Sequence, residues 1–199
     1  MGRAARLGVM GGTFDPIHYG HLLAANEAGR ALDLDEVIFV PAGRPWQKAG
    51  RCLAPAEDRY QMTALATATN PLFSVSRAEI DRSGPTYTVD TLAGLRAERG
   101  PDAELYFVIG ADALSGLRTW REPDRVAALA HLVGCTRPGH EFVNPGLRDG
   151  QFTLVEIPAL EISSSLCRER LRAGLGVTYL VPDVVIQYIA KRGLYRAEG

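Results

Sequence analysis

The feature that most constrains this chain is a regular alternation of short apolar runs with longer stretches of helical periodicity. The runs at 7–10, 37–41, 72–76, 105–109, 132–136 and 152–157 are too short for helices and read as buried strands. Between them, 19–32, 56–69, 88–99 and 125–130 space apolar residues three and four apart, as amphipathic helices do. Successive β-α units of this kind build a mostly parallel sheet covered on both faces, so the expected fold is α/β and doubly wound. After the last run, serines at 163–165 open a helix that reaches 172, and the segment after Pro182 reads as a closing helix ending near Gly193. Two segments, 42–55 and 137–150, carry the Pro and Gly of loops and are too short to separate domains, so 1–199 reads as one domain.

Charge limits the partners. The 22 basic and 23 acidic residues leave a net charge of −1, so no global field draws in nucleic acid or an anionic membrane. An anionic ligand must be met by local groups. Three cysteines, Cys52, Cys135 and Cys167, form no CxxC pair, which argues against a disulfide framework or a thiolate zinc site and fits a reducing compartment. The start, MGRAARLGVMGG, has too short an apolar run for a signal peptide, and no run of about 18 apolar residues is present to span a bilayer. The expected setting is the cytoplasm, with small-molecule partners and a homo-oligomer left open.

In open parallel sheets, ligands collect beyond the carboxyl ends of the strands. The first run leads straight into GGTFDPIHYGHL at 11–22. Gly11 and Gly12 permit a tight turn and a close backbone approach, and the helix that follows offers unpaired N–H groups and a positive dipole end. That combination suits phosphate. His18 and His21 are three apart, so both imidazoles can share one face, while Gly20 keeps the ground between them clear. Two histidines at this spacing could also bind a metal, or merely cap and pack; no third ligand is evident, and no metal site is assigned. The GxGxxG spacing and the GK[ST] ending of a P-loop are both absent.

Other segments carry weaker signals. In ISSSLCR, 162–168, three hydroxyls and Arg168 sit at a helix start, which fits either an anion site or a serine-capped surface helix. Gly110 and Asp112 follow the fourth run, where Asp112 could serve a ligand or cap a helix. Trp120 lies in a short polar stretch and reads as a stacking surface or a plug under the loop. Thr86 begins a helix and is equally an N-cap. Arg59, in AEDRYQM, reads as part of a solvated helix face; His131 and His140 receive no role, and Cys135 reads as a small apolar residue.

GGTFDPIHYGHL resembles the signature of the nucleotidyltransferase superfamily that carries an HxGH element, and ISSSLCR resembles its ISSTxxR motif, with Ser165 where threonine is usual. The whole chain is similar to the bacterial nicotinate-nucleotide adenylyltransferase family, through PWQK at 45–48, GPTYT at 84–88, GAD at 110–112, Trp120, RPG at 137–139 and the closing YIAKRGLY. The resemblance implies a Rossmann-like nucleotidyltransferase fold and transfer of AMP from ATP to nicotinate mononucleotide, with Mg²⁺ accompanying ATP. It implies an ATP site of Gly11, Gly12, Thr13, Phe14, Gly20, Gly110, Asp112, Ile162, Ser163, Ser164 and Ser165. His18, His21 and Arg168 are implied to stabilise the phosphate charge. Trp120 is implied to stack on the pyridine ring, Thr86, Tyr87 and Thr88 to meet its carboxylate, and Lys48 and Arg137 to lie near the phosphates and nucleotide.

Overall fold

The computed structural model describes residues 3–45, 53–139, 141–158 and 160–196. Six strands form one sheet: β1 (Arg6–Gly12), β2 (Glu36–Pro41), β3 (Phe73–Val75), β4 (Glu104–Gly110), β5 (His131–Thr136) and β6 (Phe152–Glu156). Their order is β3-β2-β1-β4-β5-β6, and every pairing is parallel. Helices α1 (Tyr19–Ala31), α2 (Ala56–Thr67), α3 (Thr88–Arg99), α4 (Ala111–Ser115), α5 (Pro123–Leu129), α6 (Ser164–Arg172) and α7 (Asp183–Arg192) make the connections and the C-terminal cover.

The strands are apolar on both faces because both faces are covered. Leu7, Val9, Leu105, Phe107 and Leu132 face a cluster completed by Val89 and Leu92 of α3 and Val126 of α5. Met10, Val108 and Val133 face the other side, where Ala25 and Ala28 of α1, Met62 of α2 and Val185 and Ile189 of α7 pack. The α/β, doubly wound expectation is therefore met. Sequence periodicity did not reveal α4 or the 3₁₀ turn Leu117–Thr119, because one or two turns are too short to establish a helical period. Among the described residues, no helix is long and apolar enough to cross a membrane.

Candidate active site

The chain leaves β1 toward β2 on one side and later returns to pair β4 on the other, so strand order reverses between β1 and β4. A crevice must open beyond the carboxyl ends of these two strands. It is a cavity of about 420 Å³, lined by Met10–Thr13 at the end of β1, Phe107–Gly110 at the end of β4, and side chains from α1 and the loops. Most residues that the sequence nominates meet there: Gly11, Gly12, Thr13, His18, Gly20, His21, Thr86, Tyr87, Thr88, Gly110, Trp120, Arg137 and Ile162.

His18 is the N-cap of α1, in extended backbone with φ −147°, and its ring stacks on that of His21 with centroids 3.7 Å apart. The His18 N–H donates to His21 Nδ1 at 3.3 Å, so a neutral His21 carries its proton on Nε2. Glycine at position 20 leaves room for the ring, since a Cβ there would lie 3.1 Å from His18 Nδ1 and press on it. His18 is 5% exposed, and its Nδ1 is buried with no hydrogen-bond partner. Burial pulls its pKa down from 6.5 to about 4, so at neutral pH it is an uncharged hydrogen-bond donor rather than a cation.

That shift has a sign. The unfolded chain takes up the His18 proton first as pH falls, so the stability held by the neutral ring is whole above pH 6.5 and is lost toward pH 4. The loss amounts to about 3 kcal/mol at most. Urea midpoints should fall across this window, and fall less in His18→Asn; equal slopes in the two proteins would contradict the assignment.

The two motifs join through the first turn. Ser164 Oγ donates to Pro16 O at 2.9 Å, and Arg168 Nη1 donates to Asp15 O at 2.7 Å. Ser163 caps α6 by accepting from Leu166 N, and Ser165 Oγ accepts from Arg168 Nη2. In this conformation the serines and Arg168 therefore bind the chain itself and stand outside the cavity wall, whereas the sequence reading aims them at one anion. Asp15 is 1% exposed and is a hub: its Oδ1 accepts from Tyr195 O–H at 2.7 Å and from Ala54 N–H at 3.2 Å. Its Oδ2 lies 3.8 Å from Arg168 Nη1.

Thr86, also in the cavity wall, is not a helix cap. Tyr87 is the N-cap of α3, and the Thr86 N–H donates to Arg44 O at 3.1 Å. The Thr86 hydroxyl is buried in the cavity wall without a partner. Nearby, the half-buried Trp120 ring meets Phe107 edge to face at 6.0 Å. The Arg121 guanidinium, which no sequence motif singles out, lies 4.6 Å over the Tyr87 ring and also lines the cavity. Cys135 lines the wall too, but burial pushes its thiol up to about 12, which makes it inert.

Two more nominations, Asp112 and Phe14, fall outside the cavity wall. Lys48 lies outside the described residues. Asp112 is exposed in the first turn of α4 and does not line the cavity. Phe14, held at φ 49°, turns its ring into the core, 5.1 Å from His21 edge to face, so its side chain supports the histidine. Arg59 reverses its expected position: it is 2% exposed and donates to four backbone carbonyls. The signal was its spacing with buried Met62 and Thr63, which puts it on the inner face of α2.

The cytidylyltransferase-like family matches residues 9–170. The probable nicotinate-nucleotide adenylyltransferase of Saccharopolyspora erythraea is 60% identical over 198 residues, covering 100% of this chain and 93% of the relative. That of Acidothermus cellulolyticus is 60% identical over 200 residues, with 98% and 96% covered. The Plasmodium falciparum nicotinic acid mononucleotide adenylyltransferase complexed with NaAD shares the fold, with a TM-score of 0.77 at 20% identity over 96% of this chain and 97% of that one. A sheet of this order, a GGTFDPIHYGHL turn at its switch point and end-to-end identity of this degree agree: the chain belongs to the cytidylyltransferase-like family, among its nicotinate-nucleotide adenylyltransferases.

Proposed function

We propose that this chain, acting as a single nucleotidyltransferase domain, moves the adenylyl group of ATP onto the 5′-phosphate of nicotinate mononucleotide in NAD biosynthesis. The reading rests on one observation above all: a single cavity is lined by the glycine turn after β1 with its paired imidazoles, by an indole, and by the residues that open α3. The 60% identical relatives carry the same activity in their names.

A phosphate oxygen of nicotinate mononucleotide attacks the α-phosphorus in line. The bond from that phosphorus to its bridging oxygen breaks, and pyrophosphate leaves with the electron pair. The nucleophile is already an anion, so no side chain has to take a proton and no enzyme ester is needed. What the protein must supply is position and charge stabilisation. His18, neutral and desolvated, donates a hydrogen bond to the phosphate oxygens where charge accumulates, and the N-terminus of α1 adds its dipole. Trp120 stacks on the pyridine ring. The Thr86 hydroxyl and the first N–H groups of α3 receive the ring carboxylate, which favours the acid over the neutral amide.

Magnesium fits here as the counter-ion of the ATP phosphates. It requires hard oxygen ligands, the converging side chains are imidazoles, and among the described residues no group of three or more His, Cys, Asp and Glu could hold a metal. Its ligands would be phosphate oxygens and water, and when bound it supplies charge neutralisation on the leaving group.

The test is pyrophosphate release from ATP and Mg²⁺, with each acceptor omitted or supplied in turn. Release only with nicotinate mononucleotide is expected; release with phosphopantetheine instead would overturn the substrate while sparing the reaction class. Trp120→Ala is expected to raise KM for nicotinate mononucleotide about tenfold, the size of one lost ring stack. The KM for ATP should change less than about twofold. Equal changes in both would refute the stacking role.

A further inference from the structure

Three backbone segments meet beside the cavity just past the end of the β1–β2 ladder, whose last bond runs from Ala42 N–H to Gly12 O at 2.8 Å, and beyond that bond something must fix their spacing. One is the end of the phosphate turn at Thr13. Another is the exit of β2 at Ala42 and Gly43, and the third is the approach to α2 at Ala54. A single guanidinium reaches all of them. Arg59 Nη1 donates to Thr13 O at 2.9 Å and to Ala42 O, Nη2 donates to Gly43 O at 3.0 Å, and Nε donates to Ala54 O at 3.0 Å. Ala54 is held a second time, by its N–H to Asp15 Oδ1.

From Gly43 the connection runs on to Glu79 and Thr86 in the cavity wall. A Cβ at position 43 would collide with the carbonyl oxygen of Glu79, so the backbones there are in direct contact. One residue later, Arg44 O accepts the Thr86 N–H, and Pro45 and Thr86 form a parallel bridge. Thr13, Ala42, Pro45, Glu79 and Thr86 all line the cavity. One buried cation thus ties the phosphate turn to the wall that carries the orphaned Thr86 hydroxyl. A planar fork with several fixed donors can do this; a lysine ammonium on the same stem cannot span the four acceptors.

We propose that Arg59 is a positioning residue for the transfer reaction, setting the distance between the phosphate turn and the Thr86 wall and hence between the two reacting substrates. The proposal rests on the adenylyl-transfer reading. A misplacement of the order of 1 Å between bound reactants costs about 100-fold in rate, and it acts on both substrates at once because the turn and the Thr86 wall share the one guanidinium.

The test is Arg59→Lys, assayed after a melting curve shows it folded at the assay temperature. Both KM values are expected to rise about tenfold and kcat to fall with them. Amide hydrogen exchange at 11–14 and 42–44 should quicken together. An arginine that merely held the fold would lower the fraction of active enzyme, and so kcat, leaving both KM values where they were. Arg59→Met puts no charge on the buried stem, and Asp15 keeps Arg168 and Tyr195 beside it, so it serves as a second variant if lysine does not fold, and the same paired shift is expected. An unchanged KM for either substrate in the folded variants, or exchange that quickens in only one segment, overturns the positioning role. If the wild-type protein does not use nicotinate mononucleotide at all, the proposed function fails, and the paired exchange still decides the role of Arg59.

Discussion

Replacing His18 with alanine is expected to lower kcat about 100-fold or more, about 2.7 kcal/mol of transition-state stabilisation, while the protein remains folded. His18 caps α1, is stacked on His21 and is locked in place by the approach of Gly20, so its orientation is fixed before substrate arrives. A neutral imidazole keeps one N–H, and a desolvated donor is strongest toward an anion that enters the site. Asparagine retains an N–H donor on a shorter reach and should fall between the wild type and alanine. Single-turnover measurement of dinucleotide formation isolates the chemical step. Wild-type turnover in the alanine variant would remove His18 from the mechanism.

The largest stability effect is expected at Asp15. Its carboxylate is buried, accepts hydrogen bonds from Tyr195 and Ala54, and lies beside Arg168. Arg59 is its neighbour as well: burial lowers the Arg59 pKa, and Asp15 is the leading group that opposes this. Asp15→Ala leaves a phenol O–H, a backbone N–H and a buried guanidinium without their acceptor or counter-charge. Removing one member of a buried charged cluster costs about 3–5 kcal/mol. Asp15→Asn keeps an oxygen for Tyr195 and Ala54 and should lose less. Urea unfolding followed by circular dichroism measures both; a midpoint for the alanine variant within error of wild type would show that the hub does not stabilise the fold. Because Tyr195 follows α7 and reaches Asp15 across 180 residues of sequence, the same change should loosen the C-terminal end.

The sheet was legible because each strand is an apolar run between turn residues that is too short to be a buried helix. β4, ELYFVIG, is the clearest case. The cavity's glycine turn and histidines were legible because they are local: one strand, one turn and one helix start within twelve residues. Arg168 was legible as a residue of note, but not its partner. Its hydrogen bond to Asp15 spans 153 residues, and nothing in ISSSLCR announces it. Arg59 was misread for a related reason. A buried arginine needs several acceptors, and here they are carbonyls, which have no signature in sequence. Asp112 was misplaced because its α4 is one turn long and turns it away from the cavity, toward solvent. Thr86 was ambiguous between cap and ligand until Tyr87 was seen to occupy the N-cap position.

The most direct measurement offers both pyridine nucleotides in one tube. With ATP, Mg²⁺ and equal concentrations of nicotinate and nicotinamide mononucleotide, the ratio of the two dinucleotides formed gives the ratio of kcat/KM without separate titrations. The site described here, with Trp120 beside the α3 N-terminus and the Thr86 hydroxyl, predicts nicotinate adenine dinucleotide as the main product, matched mole for mole by pyrophosphate. A predominance of the amide dinucleotide, or pyrophosphate without either dinucleotide, would contradict it.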